Sequence, residues 1–151
     1  MVYEMSVPDQ YGFVILACGV LPLFTNVYMS GSVMKARDSF DVKYPNLYGV
    51  PGVHKYADDF NRVQRGHQNY FEHLTHFTVI SLIGGLKHPL TCAASGVLFC
   101  LGSVLYQKGY SDTSLKVETA RYEKGGVVKW IGYFAALGSC VSMAGSIQQW
   151  W

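Results

Sequence analysis

Charge is scarce in this chain. Asp, Glu, Lys and Arg make up 15% of its 151 residues, against about 25% in an average soluble domain. The shortage is also uneven. Residues 10–34, 89–107 and 130–151 hold no Asp, Glu, Lys, Arg or His. A membrane-crossing helix needs about 20 mainly apolar residues, and each of these runs is of that order. A fourth apolar run, 77–86, is too short alone, but it continues back into the polar stretch from Asp59 and together they make a full span. Four such segments in so short a chain leave too little polar surface for a soluble bundle. The reading is therefore all-α: one integral-membrane four-helix bundle, with helices near 11–40, 59–86, 89–110 and 119–149.

Other absences narrow the function. Cys18, Cys92, Cys100 and Cys140 all fall in apolar stretches without CxxC spacing. That speaks against a disulfide framework or a thiolate metal site and for buried thiols acting as small packers. The net charge of +2 offers no general attraction for nucleic acid. No basic residue precedes the first apolar run, which is longer than a signal-peptide core, so a cleaved signal is not expected. Internal repeats and low-complexity tracts are missing.

The few basic residues are concentrated. With four spans, every Lys and Arg except Lys87 falls in the loops near 35–58 and 108–129 or at the base of the second helix. The positive-inside rule then places loops one and three in the cytosol and both termini on the lumenal side. Residues 1–9 form a short lumenal lead. Trp130 and the Trp150-Trp151 pair lie about 20 residues apart, roughly 30 Å along a helix, the spacing of two aromatic belts. Pro22 is expected to kink the first helix, with neighbouring helices re-satisfying the freed carbonyl. Asp58 or Asp59 is expected to cap the second helix, and Gly84 and Gly85 near its end permit close helix approach.

The second helix carries the chemistry. Arg62, Arg65, Asn69, Glu72 and His76 recur at steps of 3, 4, 3 and 4, which confines them to one stripe, with His73 close beside it. Ionised groups near mid-bilayer cost several kcal/mol each, so the stripe must face a partner helix, a water-filled cleft or a ligand. An ion-pair network stitching helices together is the bland explanation. Against it, Arg65 and Glu72 stand two turns apart, poorly placed to pair, and cations outnumber anions. A site for an anionic, polar ligand accounts for the excess. Tyr106 and Tyr110 share a face of the third helix, and alone they read as belt residues. Arg37 reads as a snorkelling cation. Lys116 and Arg121 sit where the fourth helix should begin, and a cation there opposes the helix dipole. Glu72, His73 and His76 give an incomplete ligand set, so no metal is expected.

These residues resemble a known family. The segments SVMKARDSF at 32–40, VKYP at 42–45 and FNRVQRGHQNYFE at 60–72, with Gly109-Tyr110, are similar to the MAPEG superfamily of membrane proteins in eicosanoid and glutathione metabolism. The YGFV opening at Tyr11, the VKYP segment and the RGHQN core look most like the type-three microsomal glutathione transferases. The resemblance covers almost the whole chain, and the R-x-x-R-x-x-x-N-x-x-E run of the second helix is its most specific part.

The resemblance implies a homotrimer with glutathione bound between subunits at the cytosolic end. It implies that Arg37 and Arg65 hold the tripeptide carboxylates, Asn69 its backbone and Glu72 its amino group, while Tyr106 and Tyr110 pack against it and hydrogen-bond it, Tyr106 counting with Arg121 among the catalytic residues. His67 stands where relatives carry Gln or His, and His73 where others carry Tyr. A cation beside the sulfur would generate the thiolate. Arg121 is its best match, because Gly125-Gly126 follows it, and Lys116 is the other candidate. The implied activity is a glutathione transferase or peroxidase acting on a hydrophobic electrophile or lipid hydroperoxide, including conjugation of leukotriene-type epoxides. The implied address is the endoplasmic reticulum or the outer mitochondrial membrane. The alternatives are a non-catalytic lipid-binding scaffold of the lipoxygenase-activating type and, more distantly, a proton or ion pathway along the stripe.

Overall fold

The computed structural model describes residues 6–150. The first five residues of the expected lead, and Trp151 of the expected second belt, lie outside the described residues. Among the described residues every regular element is helical and there is no strand. Helix α1 (Tyr11–Val14) passes through a π-helical stretch (Ile15–Val20) into α2 (Leu21–Phe40). Then come α3 (Ala57–Gly85), α4 (Pro89–Tyr110), α5 (Ala120–Glu123) and α6 (Val128–Ile147).

Each departure from the sequence reading has a local cause. The widened π turn lies just before Pro22, whose missing N–H and bulky ring disturb the preceding turn. Helix α3 starts at Ala57, so Asp58 and Asp59 occupy its first turn instead of capping it. There they still complement the helix dipole. The expected final helix is broken. Gly125 adopts φ 86°, a left-handed conformation that stops α5, and α6 restarts at Val128.

Among the described residues three helices are long and apolar enough to cross a membrane: Tyr11–Phe40, Pro89–Tyr110 and Val128–Ile147. Helix α3, at 29 residues, would span roughly 43 Å, longer than the hydrocarbon core. Only its charged first half separates it from the other three. Apolar side chains such as Phe13, Leu16, Phe24, Val27, Ile131, Phe134 and Val141 are exposed on these helices, whereas Ser81, Ser95, Ser103 and Ser139 are buried. That distribution suits lipid as the outer solvent.

The chain packs as two compact units. One comprises the residues up to Leu23, His73–Leu101 and the residues from Val128 onward. Its centre is a parallel stack of Phe77 on Phe99, with ring centroids 4.0 Å apart and planes at 7°. Small residues bring its helices close. A Cβ on Gly84 would lie 2.7 Å from the backbone nitrogen of Cys140, as expected for a close-approach glycine. The Cys18 thiol donates to the Cys92 carbonyl at 3.1 Å, and none of the four cysteines forms a disulfide.

The other unit comprises Phe24–Glu72 and Gly102–Val127. Its apolar core is Val33, Ala36, Val42, Phe60 and Val63, with Phe40 packed on it. Gly66 of α3 lies against Gln107 of α4, where a Cβ would meet the Gln107 Cα at 3.0 Å. The buried Gln107 amide donates to the carbonyls of Met29 (3.2 Å) and Val63 (3.5 Å), tying α2 and α3 to α4. This packing brings the charged stripe of α3 beside the end of α4.

Candidate functional site

Arg62 and Arg65 of α3 and Tyr110 of α4 line one cavity of about 560 Å³, shared with Tyr48, Asp58, Asp59, Asn61, Thr113 and Val117. Its wall mixes two cations with two anions, so it suits a ligand bearing charges of both signs. Each polar wall residue has a traceable position. Asn61 pins the loop before α3: its Oδ1 accepts from the Gly49 N–H at 2.7 Å and its Nδ2 donates to the Gly49 carbonyl at 3.0 Å. Tyr48, carried by that loop, hydrogen-bonds Gln68 and also reaches Arg65.

Arg62 is engaged structurally. Its Nε donates to the Tyr110 carbonyl at 2.6 Å, and one terminal nitrogen donates to the carbonyls of Asp112 (2.7 Å) and Leu115 (3.2 Å). A helix ends with carbonyls that lack intrahelical partners, and here a guanidinium fork satisfies the end of α4. The same bonds fix Tyr110 at the cavity edge.

Arg65 differs. Its terminal nitrogen donates to Glu72 Oε1 at 2.6 Å, and both side chains remain about 40% exposed (46% and 38%). Asn69 Nδ2 donates weakly to the second Glu72 oxygen at 3.4 Å. This corrects the expectation that Arg65 and Glu72 are poorly placed to pair. Two long side chains bridge two turns, and the three polar groups of the stripe bond one another.

Arg121, Tyr106 and Tyr110 lie together. The Arg121 guanidinium lies 5.1 Å over the Tyr110 ring and hydrogen-bonds the Tyr106 hydroxyl, and the Tyr106 and Tyr110 rings sit 6.2 Å apart. Gly126 makes this possible, since a Cβ there would collide with the Arg121 carbonyl and the Tyr106 backbone. Among the described residues Arg121 Nε is buried without a hydrogen-bond partner, so one donor of this cation is unused there. Lys116 is exposed; its carbonyl receives the first amide of α5 at 2.8 Å.

The remaining candidates do not join this cluster. Arg37 is buried at the end of α2 and donates to the carbonyls of Val42 (3.1 Å) and Asn46 (2.8 Å). Its guanidinium also lies 4.4 Å from the Tyr44 ring, so it serves as the pin of the loop after α2. His67, two residues beyond Arg65 and thus on the far face of the helix, shares a 2.8 Å hydrogen bond with Asn26. The His73 ring meets Trp130 edge-on at 4.9 Å and Tyr133 at 6.0 Å. Asp58, Asp59 and Tyr48 are wall residues that the sequence reading missed. Asp58 was findable, because it extends the stripe back by one four-residue step. Tyr48 carried no signal, since a loop supplies it. Among the described residues no group of three His, Cys, Asp or Glu side chains is gathered as a metal site would need.

Residues 14–147 match the family model of the MAPEG family. The chain belongs to the MAPEG family. The match takes in α3, α4 and α5 entire, and with them the whole cavity wall. MAPEG proteins are membrane proteins that in general use glutathione, and the family holds transferases and peroxidases as well as non-catalytic members.

Proposed function

We propose that this MAPEG protein is a membrane-bound glutathione transferase with glutathione-dependent peroxidase capacity, nearest in kind to the type-three microsomal enzymes. One observation carries the reading: Arg65 lines a cavity of mixed charge and holds Glu72 in an open, solvent-accessible pair. Glutathione has two carboxylates and one ammonium. It can replace that internal pair with two of its own, a carboxylate on Arg65 and an ammonium on Glu72, with Asn69 on the peptide backbone. Arg121 is the cation for the sulfur. A free thiol has a pKa of about 8.5, and a neighbouring cation favours its thiolate.

The thiolate then attacks an electrophile arriving from the bilayer. With an epoxide, the sulfur–carbon bond forms as the carbon–oxygen bond breaks, and the alkoxide takes a proton. With a lipid hydroperoxide, two glutathione molecules give the alcohol, water and the disulfide. The active assembly is a homotrimer of four-span subunits in the endoplasmic reticulum or outer mitochondrial membrane, with loops one and three cytosolic.

The rival is a lipid-binding scaffold. It is favoured by the mutual bonding of Arg65, Asn69 and Glu72, a set that could be purely structural. Titration of the detergent-purified protein with glutathione, following thiolate absorbance, separates the two. The enzyme gives saturable thiolate, lost in Arg65→Ala. The scaffold gives none.

A further inference from the structure

A second cavity, of about 450 Å³, opens beside α2 and α4, and three lysines line it: Lys35, Lys108 and Lys124. One carboxylate, Asp112, stands against them and is held by Lys124 at 2.6 Å. Among the described residues Lys35 and Lys108 form no ion pair. The Lys108 ammonium instead lies 5.6 Å over the Tyr28 ring. Ser32 and Ser111 complete the polar wall, their hydroxyls donating to the carbonyls of Tyr28 (3.4 Å) and Gln107 (2.6 Å). Excess positive charge and room for a small group define an anion site. It shares no lining residue with the Arg65 cavity.

The sequence says where the anion comes from. Lys35 is the first charged residue after the apolar run 10–34, and Lys108 the first after 89–107. Both therefore stand where a spanning helix leaves the hydrocarbon, the level occupied by phospholipid phosphates. Tyr28, Val27 and Met34 of the same stretch of α2 are exposed, an apolar surface for acyl chains below the amines.

We propose that Lys35 and Lys108, with Lys124 behind them, bind the phosphate of an anionic phospholipid. The lipid seats in this cavity from the surrounding leaflet. The inference rests on the membrane reading of α2 and α4 and is independent of glutathione chemistry.

The test uses the full chain in neutral detergent, titrated with phosphatidylglycerol, phosphatidylcholine and inorganic phosphate, with retained lipid counted by native mass spectrometry. Phosphatidylglycerol should bind at least tenfold more tightly than phosphatidylcholine. That preference should shrink in wild-type protein as salt rises toward about 1 M, where screening acts within roughly 3 Å. The double variant K35Q/K108Q should lose roughly fivefold per lysine, about 25-fold in all. K43Q/K55Q removes the same charge from the loop after α2 and should bind like wild type. Equal losses in the two double variants, or equal binding of the two lipids by wild type, would overturn the proposal. Displacement of the lipid by millimolar inorganic phosphate would reassign the site to a free anion and overturn the lipid assignment. The salt and lipid-class comparisons need no variant, so a misfolded K35Q/K108Q chain leaves the proposal testable.

Discussion

Arg65 donates a 2.6 Å hydrogen bond to Glu72 across two turns of one helix, with both side chains open to solvent. Exposed pairs of this kind contribute about 0–1 kcal/mol. Arg65→Ala should therefore move the melting temperature by only a few degrees. A charge-assisted hydrogen bond to a ligand carboxylate is worth about 1.5–3 kcal/mol, so glutathione affinity should fall roughly 10- to 150-fold. Calorimetric titration and thermal melting on the same variant check both halves. A large loss of stability with unchanged affinity would mean that the pair serves the fold and not the ligand.

Arg121 should behave differently. At pH 7 a thiol of pKa 8.5 is only about 3% thiolate. Arg121→Ala should keep glutathione binding through Arg65 while thiolate absorbance drops by up to about 30-fold. Arg121→Lys, which preserves the charge without the planar fork, should recover part of it. Tyr106→Phe, removing a hydroxyl hydrogen-bonded to Arg121, should have the smaller effect. Full thiolate in Arg121→Ala would transfer the role to Lys116 or another cation.

Helix positions were readable where periodicity and charge agreed. The span Pro89–Tyr110 and the shared face of Arg62 and Arg65 follow from a charge-free run and a 3,4 stripe, both properties of neighbours in sequence, whereas the nearness of Arg65 to Tyr110 was implied only by the family resemblance. The break between α5 and α6 was not read, although Gly125-Gly126 was in plain view. A glycine pair fits either a helix contact or a stop, and the φ of Gly125 decides which. The fate of individual arginines was also hidden. Arg37, Arg62 and Arg65 are alike in sequence, yet the first two bond backbone carbonyls and the third bonds a carboxylate. Which carbonyls lie unpaired nearby depends on where loops fold back, and no periodicity encodes that.

The carbonyl-bound arginines should be structural on test. Arg62→Ala strands the Tyr110 acceptor at the end of α4 and those of Asp112 and Leu115 in the loop that follows. Each buried acceptor left without a partner costs about 1–3 kcal/mol, less where water can enter. The expected result is a clear fall in melting temperature together with weaker glutathione binding, because Tyr110 and the cavity wall lose their anchor. Arg62→Lys should not rescue it, since one ammonium cannot reproduce the fork. If Arg62→Ala melted like wild type while Arg65→Ala did not, the two assignments would be reversed.

The pH response of the loop after α4 has a definite sign. Lys124, bonded at 2.6 Å, and the Ser114 hydroxyl and amide hold the Asp112 carboxyl down at about 2, from an ordinary value of 3.8. A depressed carboxyl binds its proton more weakly in the folded chain than in the unfolded one. Its contribution is thus complete above about pH 4 and is lost as pH falls toward about 2. The melting-temperature gap between wild type and Asp112→Asn should be constant from neutral pH down to about 5. It should then close between about 4 and 2, and it should narrow with salt because the pair is exposed. Lys124→Gln removes the largest cause of the shift, so in that background the gap should be smaller, begin to close at the same pH, which the unfolded chain sets, and finish closing at a higher one. A gap that persisted unchanged at pH 2 would show that Asp112 stabilises the loop through its backbone geometry and not through its charge.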